Sequence, residues 1–284
     1  PTTGTAHPWH PREIRVSLLI QATGPQALLQ DAGRIGYAHL GVPRAGAFDR
    51  RSWHLANRLL GNPEALPVLE CLGGGFSAEA QEHCTIAVTG AHGDVVVDGT
   101  AHSINQPLHL RPSSRVELRT PRLGLRYYVA ISGGFQAEAV LGSVARDTLG
   151  RIGPEVGQTL RCGPGAGRPI IDHTPPRTFS ETFDVLPGPD LAVQPLLDRE
   201  WDLDPQSNRI GIRLAGTPIP APTAGLPSRP MILGAVQLPP NGLPIILGPD
   251  HPTTGGYPVI AIVTPRSMDD VAQWAGGPRR FRLA

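Results

Sequence analysis

Gln237, Asn241, Asp250, Thr253, Thr254 and Tyr257 crowd into one stretch, Gly234–Ala261, which reads GAVQLPPNGLPIILGPDHPTTGGYPVIA. Amide, hydroxyl, phenol and carboxylate groups in one segment can hold a small polar molecule and move its protons. Two apolar runs, Ala235–Leu238 and Pro244–Leu247, flank the turn Pro239-Pro240-Asn241-Gly242, and Gly255-Gly256 precedes a third. The polar groups therefore fall where strands end and loops begin, the place where a rigid scaffold presents binding groups. A packed core has no use for so many uncharged hydrogen-bonding side chains beside a double glycine.

Other polar clusters have plainer explanations alongside the chemical one. Asp31 and Arg34, in QDAGRIG, are spaced to pair with each other or to meet a ligand. Gly41–Asp49, GVPRAGAFD, leads into a helix whose N-terminus can receive an anion, although Asp49 serves equally as its cap. Asn208-Arg209 stands at the mouth of a β run and can read an amide and a carboxylate, or form a turn with a solvated arginine. His251 sits inside the polar loop, and the remaining histidines show no metal spacing. Gly73-Gly74-Gly75 lacks the strand–GxGxxG–helix setting of a dinucleotide site. Cys71, Cys84 and Cys162 form no C-x-x-C, so neither a disulfide framework nor a zinc site is expected, and no metal ligand set is assigned.

All 25 basic residues are arginine, because the chain has no lysine. That excludes a Schiff-base lysine, a P-loop lysine and a biotin-carrying lysine within this sequence. Carboxylate or phosphate recognition falls to arginine, whose fork suits both. The formal net charge of +1 gives no case for nucleic acid or an anionic membrane as partner. The apolar run Val16–Ile20 is too short for a signal-peptide core, so a cytoplasmic location is expected.

The elements that must carry these groups are mainly β. Short runs bounded by Gly, Pro, Asn or Asp predict strands over 16–21, 85–89, 94–97, 115–118, 125–131, 184–186, 210–214, 244–247 and 259–263. His92-Gly93-Asp94 and Asp98-Gly99 read as hairpin turns. Helices are predicted over Arg50–Leu60, capped by Asp49, and Ser267–Trp274, capped by Ser267, with a helical turn at Ala137–Leu141. With 284 residues, 40% of them hydrophobic, the chain can bury a sizeable core. Residues 1–13 read as a flexible tail, 14–165 as an N-terminal β lobe and 178–284 as a C-terminal β lobe. The Pro- and Gly-rich segment 162–177 reads as the linker.

Taken in order, QDAGRIGY, GVPRAGAFD, ANRLLGN, LE, GGF with VLGS, LPGP, SNRIGIRL and GAVQLPPNG followed by PIIL, D and TTGGYP resemble the KipA family. Its members are also called the C subunit of 5-oxoprolinase, or the allophanate hydrolase subunit 2 type of carboxyltransferase domain. The resemblance runs from about Val16 to Val263 and implies a two-lobed, cyclophilin-like β-barrel with a few short helices. It implies a component, inactive alone, that joins a KipI-type B subunit and an A subunit in a hetero-oligomer. That assembly hydrolyses 5-oxo-L-proline to L-glutamate at the expense of ATP, with Mg2+ as a companion ion. One alternative it implies is the carboxyltransferase half of a biotin-dependent urea or amide carboxylase, with biotin on another chain. The other is a regulator that binds a KipI-type kinase inhibitor.

Position by position, the resemblance assigns catalytic work to Asp250, Gln237 and Asn241. It assigns binding of a lactam or amide substrate to Asn208, Arg209, Thr253, Thr254, Tyr257, Arg34 and Asp31. The chain departs from the family pattern at Ser228-Arg229-Pro230, where relatives often carry Ser-Glu-Gly. It departs again at Leu243 and Pro252, where they often carry Gln.

Overall fold

The computed structural model describes residues 17–153, 155–157, 159–163, 171–222 and 226–284. The expected tail at 1–13 and the heart of the expected linker, 164–170, lie outside them. The described residues are mainly β, with three α-helices, α1 (Arg50–Leu59), α2 (Gln194–Leu197) and α3 (Pro265–Val271), and a short 3-10 turn at Ala38–Leu40.

Two antiparallel sheets form before residue 163. One orders its strands Phe135–Gln136, Thr159–Cys162, Ser17–Thr23, Phe76–Ala80, Arg115–Leu118, Val95–Val97 and Thr100–His102. The other runs Gln26–Gln30, Val68–Leu72, Leu123–Ile131, Cys84–His92 and Pro107–Leu110. Alternation along the Tyr127–Ile131 run explains how they pack. Tyr127, Val129 and Ile131 enter the core between the two sheets, beside Leu18, Phe76 and Ala78. Tyr128 and Ala130 point the other way, against Trp53, Ala56 and Leu59 of α1. Burial on both faces is why this strand reads as an unbroken apolar run.

A third sheet, of seven strands, orders Asp202–Leu203, Gly211–Ala215, Ile245–Leu247, Ala235–Gln237, Val259–Val263, Thr182–Pro187 and Arg280–Leu283. Its last pair is parallel. Phe183, Trp201, Trp274 and Phe281 fill its core with α3, and Phe48, which precedes α1, inserts into the same cluster. A two-residue ribbon, Arg229–Pro230 with Thr254–Gly255, braces the polar loop.

Most predicted strands form within a residue or two of their expected ends, and four expectations need correction. The helix expected from Ser267 begins earlier, because the Thr264 side chain accepts from the Ser267 amide and Pro265 fills the first turn. Ala137–Leu141 is not helical. Leu141 takes a positive φ and Val140 bridges to Ser143, which turns the chain instead. His92-Gly93-Asp94 closes no hairpin, since the strands it joins lie in different sheets. Asp98-Gly99 does close one, with φ of 48° and 83°, as a two-residue turn requires. The expected linker begins inside the strand Thr159–Cys162.

Carboxylates tie α1 to α3. Asp49 accepts from the Ser52 amide at 3.0 Å, from Arg177 Nη2 at 2.9 Å and from Gln273 Nε2 at 2.9 Å. Arg177 also pairs with Asp270, and Asp269 accepts from the Arg50 amide at 2.8 Å. Burial, reinforced by the neighbouring Asp49 charge, pushes the Asp269 carboxyl up to about 7. A carboxyl raised in the folded state holds its proton there longer than in the unfolded chain. Its contribution to stability is full below about 3.8 and lost as pH rises through about 7. Asp269→Asn should therefore gain stability relative to the parent across that window, read by urea unfolding at a series of pH values. A stability difference that stays flat with pH contradicts this.

Candidate functional site

Arg209 follows the turn at Pro205-Gln206 and enters the seam between the N-terminal sheets and the third sheet, where it is 1% exposed. Its Nη1 donates to Glu70 Oε1 at 2.5 Å, its Nε to Asp250 Oδ2 at 3.0 Å, and its Nη2 to Asp250 Oδ1 at 2.9 Å and the Gly46 carbonyl at 2.8 Å. Thr148 closes the arrangement, giving both its amide (2.8 Å) and its hydroxyl (2.7 Å) to Asp250 Oδ2. Glu70 also accepts from Tyr128 Oη at 2.9 Å and the Phe48 amide at 3.0 Å, and Arg126 Nε lies 3.5 Å from it. Burial alone would lower the Arg209 pKa, but Asp250 and Glu70 outweigh it and hold the guanidinium above its ordinary value. Arg126 is lowered by burial, with Glu70 opposing.

Two of the expected site residues are thereby consumed by the fold. Arg209 and Asp250 satisfy each other, so Arg209 is not poised for a substrate carboxylate and Asp250 is not poised as a free base. Asp31 and Arg34 do not pair. Asp31 accepts from the Gly33 amide, Ser143 Oγ and the Val144 amide, while Arg34 donates to the Val140 and Ala145 carbonyls. Gln237 is buried, with its amide nitrogen 3.2 Å from Met231 Sδ. The Thr253 carbonyl accepts from the Met231 amide, and Thr254 pairs with Pro230. His251 turns its Nδ1 to the Pro252 carbonyl, and burial lowers its pKa. Arg229 pairs with Asp190.

Among the described residues two clefts open beside this seam, and Asp204 borders both. The first, about 420 Å3, is lined by Asn208, Arg209, Arg126, Thr148, Gln26 and Trp274, with apolar walls from Leu72, Leu125, Ile210 and Ile212. Asn208 spends its carbonyl oxygen on the Ile210 amide at 2.8 Å. The second, about 390 Å3, brings Asn241 and Tyr257 together with Arg213, Asp204, Gln206 and Leu243, over Pro239, Pro244 and Ile245. Strand Gly211–Ala215 separates the two, Ile212 lining one and Arg213 the other.

The second cleft holds the free chemistry. Asn241 Oδ1 accepts from the Leu243 amide at 3.1 Å, which fixes the side chain and leaves its NH2 as a donor. Arg213 is exposed and forms no ion pair with a described residue. Tyr257 is 43% exposed and supplies a ring wall. Together they offer a guanidinium for an anion, a carboxamide donor for a carbonyl and an apolar floor for a small ring. Leu243 stands at this cleft, where a glutamine would have added another amide.

Glu70, Thr148, Arg126, Arg213 and Asp204 are given no site role by the sequence, although Glu70 in LE and Arg213 in SNRIGIRL fall within the family motifs. A signal existed for two of them: Glu70 in VLECL and Arg126 in LGLRYYVAI are lone charges inside apolar strands, which need buried partners.

Among the described residues no three His, Cys, Asp or Glu side chains stand together as a metal site. The clustered carboxylates Glu70 and Asp250 are satisfied by Arg209, so this donor set does not fit Mg2+.

Arg209→Met strands Glu70 and Asp250 without their partner and should cost about 3–5 kcal/mol of stability, measured by urea unfolding. Adding Glu70→Gln and Asp250→Asn should recover part of the loss. A change within about 0.5 kcal/mol for the single variant would falsify the clamping role.

Similarity to known proteins agrees with the architecture. The chain is 34% identical over 270 residues to the C subunit of 5-oxoprolinase from Escherichia coli, covering 90% of this chain and 87% of that protein. It is 27% identical over 307 residues to urea amidolyase of Saccharomyces cerevisiae, covering 94% of this chain but 16% of that protein. The crystal structure of TTHA0988 superposes with a TM-score of 0.87 at 31% identity, covering 97% of this chain. The chain spans 57% of the length of that structure's chain. A model of the family described as carboxyltransferase domain, subdomain A and B, matches residues 40–283, and the chain belongs to that carboxyltransferase-domain family.

Proposed function

We propose that this chain is the C subunit of an ATP-dependent 5-oxoprolinase, a hetero-oligomer that opens the lactam of 5-oxo-L-proline to give L-glutamate. The observation that carries the reading is the 34% identity to a protein of that name over nearly the full length of both. The second cleft suits the substrate. Arg213 can take the carboxylate through two parallel hydrogen bonds, the Asn241 NH2 can donate to the lactam carbonyl, and Tyr257 with Pro239 and Ile245 can flank the ring. Gln237 and Asp250 act here as positioning residues, Gln237 beneath Gly255 and Asp250 through Arg209.

ATP and Mg2+ are assigned to the A and B partner proteins, the latter of the KipI type, in the cytoplasm. The chain has no lysine for a phosphate, and its clustered carboxylates are taken up by arginines. No described helix is long and apolar enough to cross a membrane. The similarity to urea amidolyase supports a second reading, a carboxyltransferase acting on carboxybiotin carried by another chain, since this one offers no lysine to carry it.

Mixed with its A and B partners, the chain should make glutamate release depend on both ATP and 5-oxo-L-proline. Arg213→Gln should raise KM about tenfold with a smaller change in kcat, because it removes a ground-state contact. Glutamate release by the partners alone at the same rate would sink the reading. A dependence on a biotinylated carrier would favour the second.

A further inference from the structure

Asp204 and Arg213 are neighbours through the backbone. The Asp204 amide donates to the Arg213 carbonyl at 2.9 Å, and the Leu203–Leu214 pair lies next to them in the sheet. Both side chains line the second cleft, yet no ion pair joins them. Asp204 Oδ1 accepts from the Gln206 amide at 2.7 Å, which fixes the carboxylate and leaves its other oxygen uncommitted among the described residues. The Ser207 hydroxyl accepts from the Arg213 amide at 2.9 Å and pins the strand that carries the guanidinium. A fixed negative group and a free positive group thus line one small cavity together with the Asn241 carboxamide and the Tyr257 ring.

Adjacent opposite charges that do not neutralise each other complement a small molecule that carries both signs on neighbouring atoms. We infer that the second cleft is a binding site for a free α-amino acid, Asp204 receiving the ammonium and Arg213 the carboxylate. The inference rests on the 5-oxoprolinase reading for its choice of amino acid, L-glutamate, and on the cleft alone for the chemical class. The lactam nitrogen of 5-oxoproline is a neutral amide, whereas ring opening creates an ammonium. Asp204 is therefore the group that distinguishes product from substrate, and the cleft retains the product until it is released. A site arranged to bond an N–H group discriminates strongly against an analogue in which that group is blocked.

The test is calorimetric titration of the full chain with L-glutamate, N-acetyl-L-glutamate and 5-oxo-L-proline. L-Glutamate should bind about tenfold more tightly than N-acetyl-L-glutamate, which lacks the ammonium. Asp204→Asn should erase that difference while keeping the turn, because asparagine can still accept from the Gln206 amide. Arg213→Gln should weaken all three. The inference is overturned if glutamate gives no binding heat. It is equally overturned if the two glutamates bind alike, or if their difference survives Asp204→Asn. Glutamate binding without glutamate release in the reconstituted assay leaves this site standing and removes the 5-oxoprolinase reading. Release without glutamate binding removes this site alone.

Discussion

Arg209 is a full positive charge with almost no access to water, and the seam of the molecule is arranged to make that tolerable. A buried guanidinium needs acceptors in several directions at once, and these come from distant parts of the chain: Glu70, Gly46 and Asp250. The approach is possible because Gly46 has φ of 91° and no side chain, and a Cβ there would lie 3.0 Å from the Ala32 and Asp31 backbone. Thr148 and Tyr128 then occupy the remaining lone pairs of the two carboxylates. Such a cluster contributes little net energy against an apolar alternative, but breaking it is expensive, so it specifies one arrangement of the sheets.

Everything on the exposed side follows from that seam. The strand leaving Arg209 carries Ile212 into one cleft and Arg213 into the other. The loop leaving Asp250 leads through Gly255, packed against the Gln237 and Met231 side chains, to Tyr257. A clamp of buried charge thus sets the spacing of groups that are themselves free. Pairing and availability are divided between nearby residues of one segment: Arg209 is spent on buried carboxylates, and Arg213 is exposed at a cleft.

The strand pattern was legible because half-buried β segments alternate, as at Arg115–Leu118, and buried ones read as short apolar runs bounded by turn residues, as at Val259–Val263. Helix α1 was legible from Asp49 and the spacing of Trp53, Ala56 and Leu59. The candidate site was only partly so. The chemical richness of Gly234–Ala261 was visible, but its side chains disperse: Asn241 and Tyr257 reach the cleft, Gln237 turns inward, and Asp250 joins the clamp. Alternation along a strand and the cost of burying a charge decide such outcomes, and neither can be assigned to a face before the sheets are assembled.

The sequence by itself determined a mainly β chain, an arginine-only basic chemistry, the capped helix after GVPRAGAFD and the family to which the motifs point. Tertiary structure alone decided which charges neutralise each other and which stay available. Glu70 and Asp250 lie 139 and 41 positions from Arg209 along the chain, and only folding brings them to the same guanidinium. Asp204 and Arg213 are close in sequence and adjacent in the sheet, yet among the described residues no ion pair joins them, and a turn and a hydroxyl fix the segments that carry them beside one cleft. Pairing falls off steeply with separation and exposure, so a sequence names the charges while the fold chooses their partners.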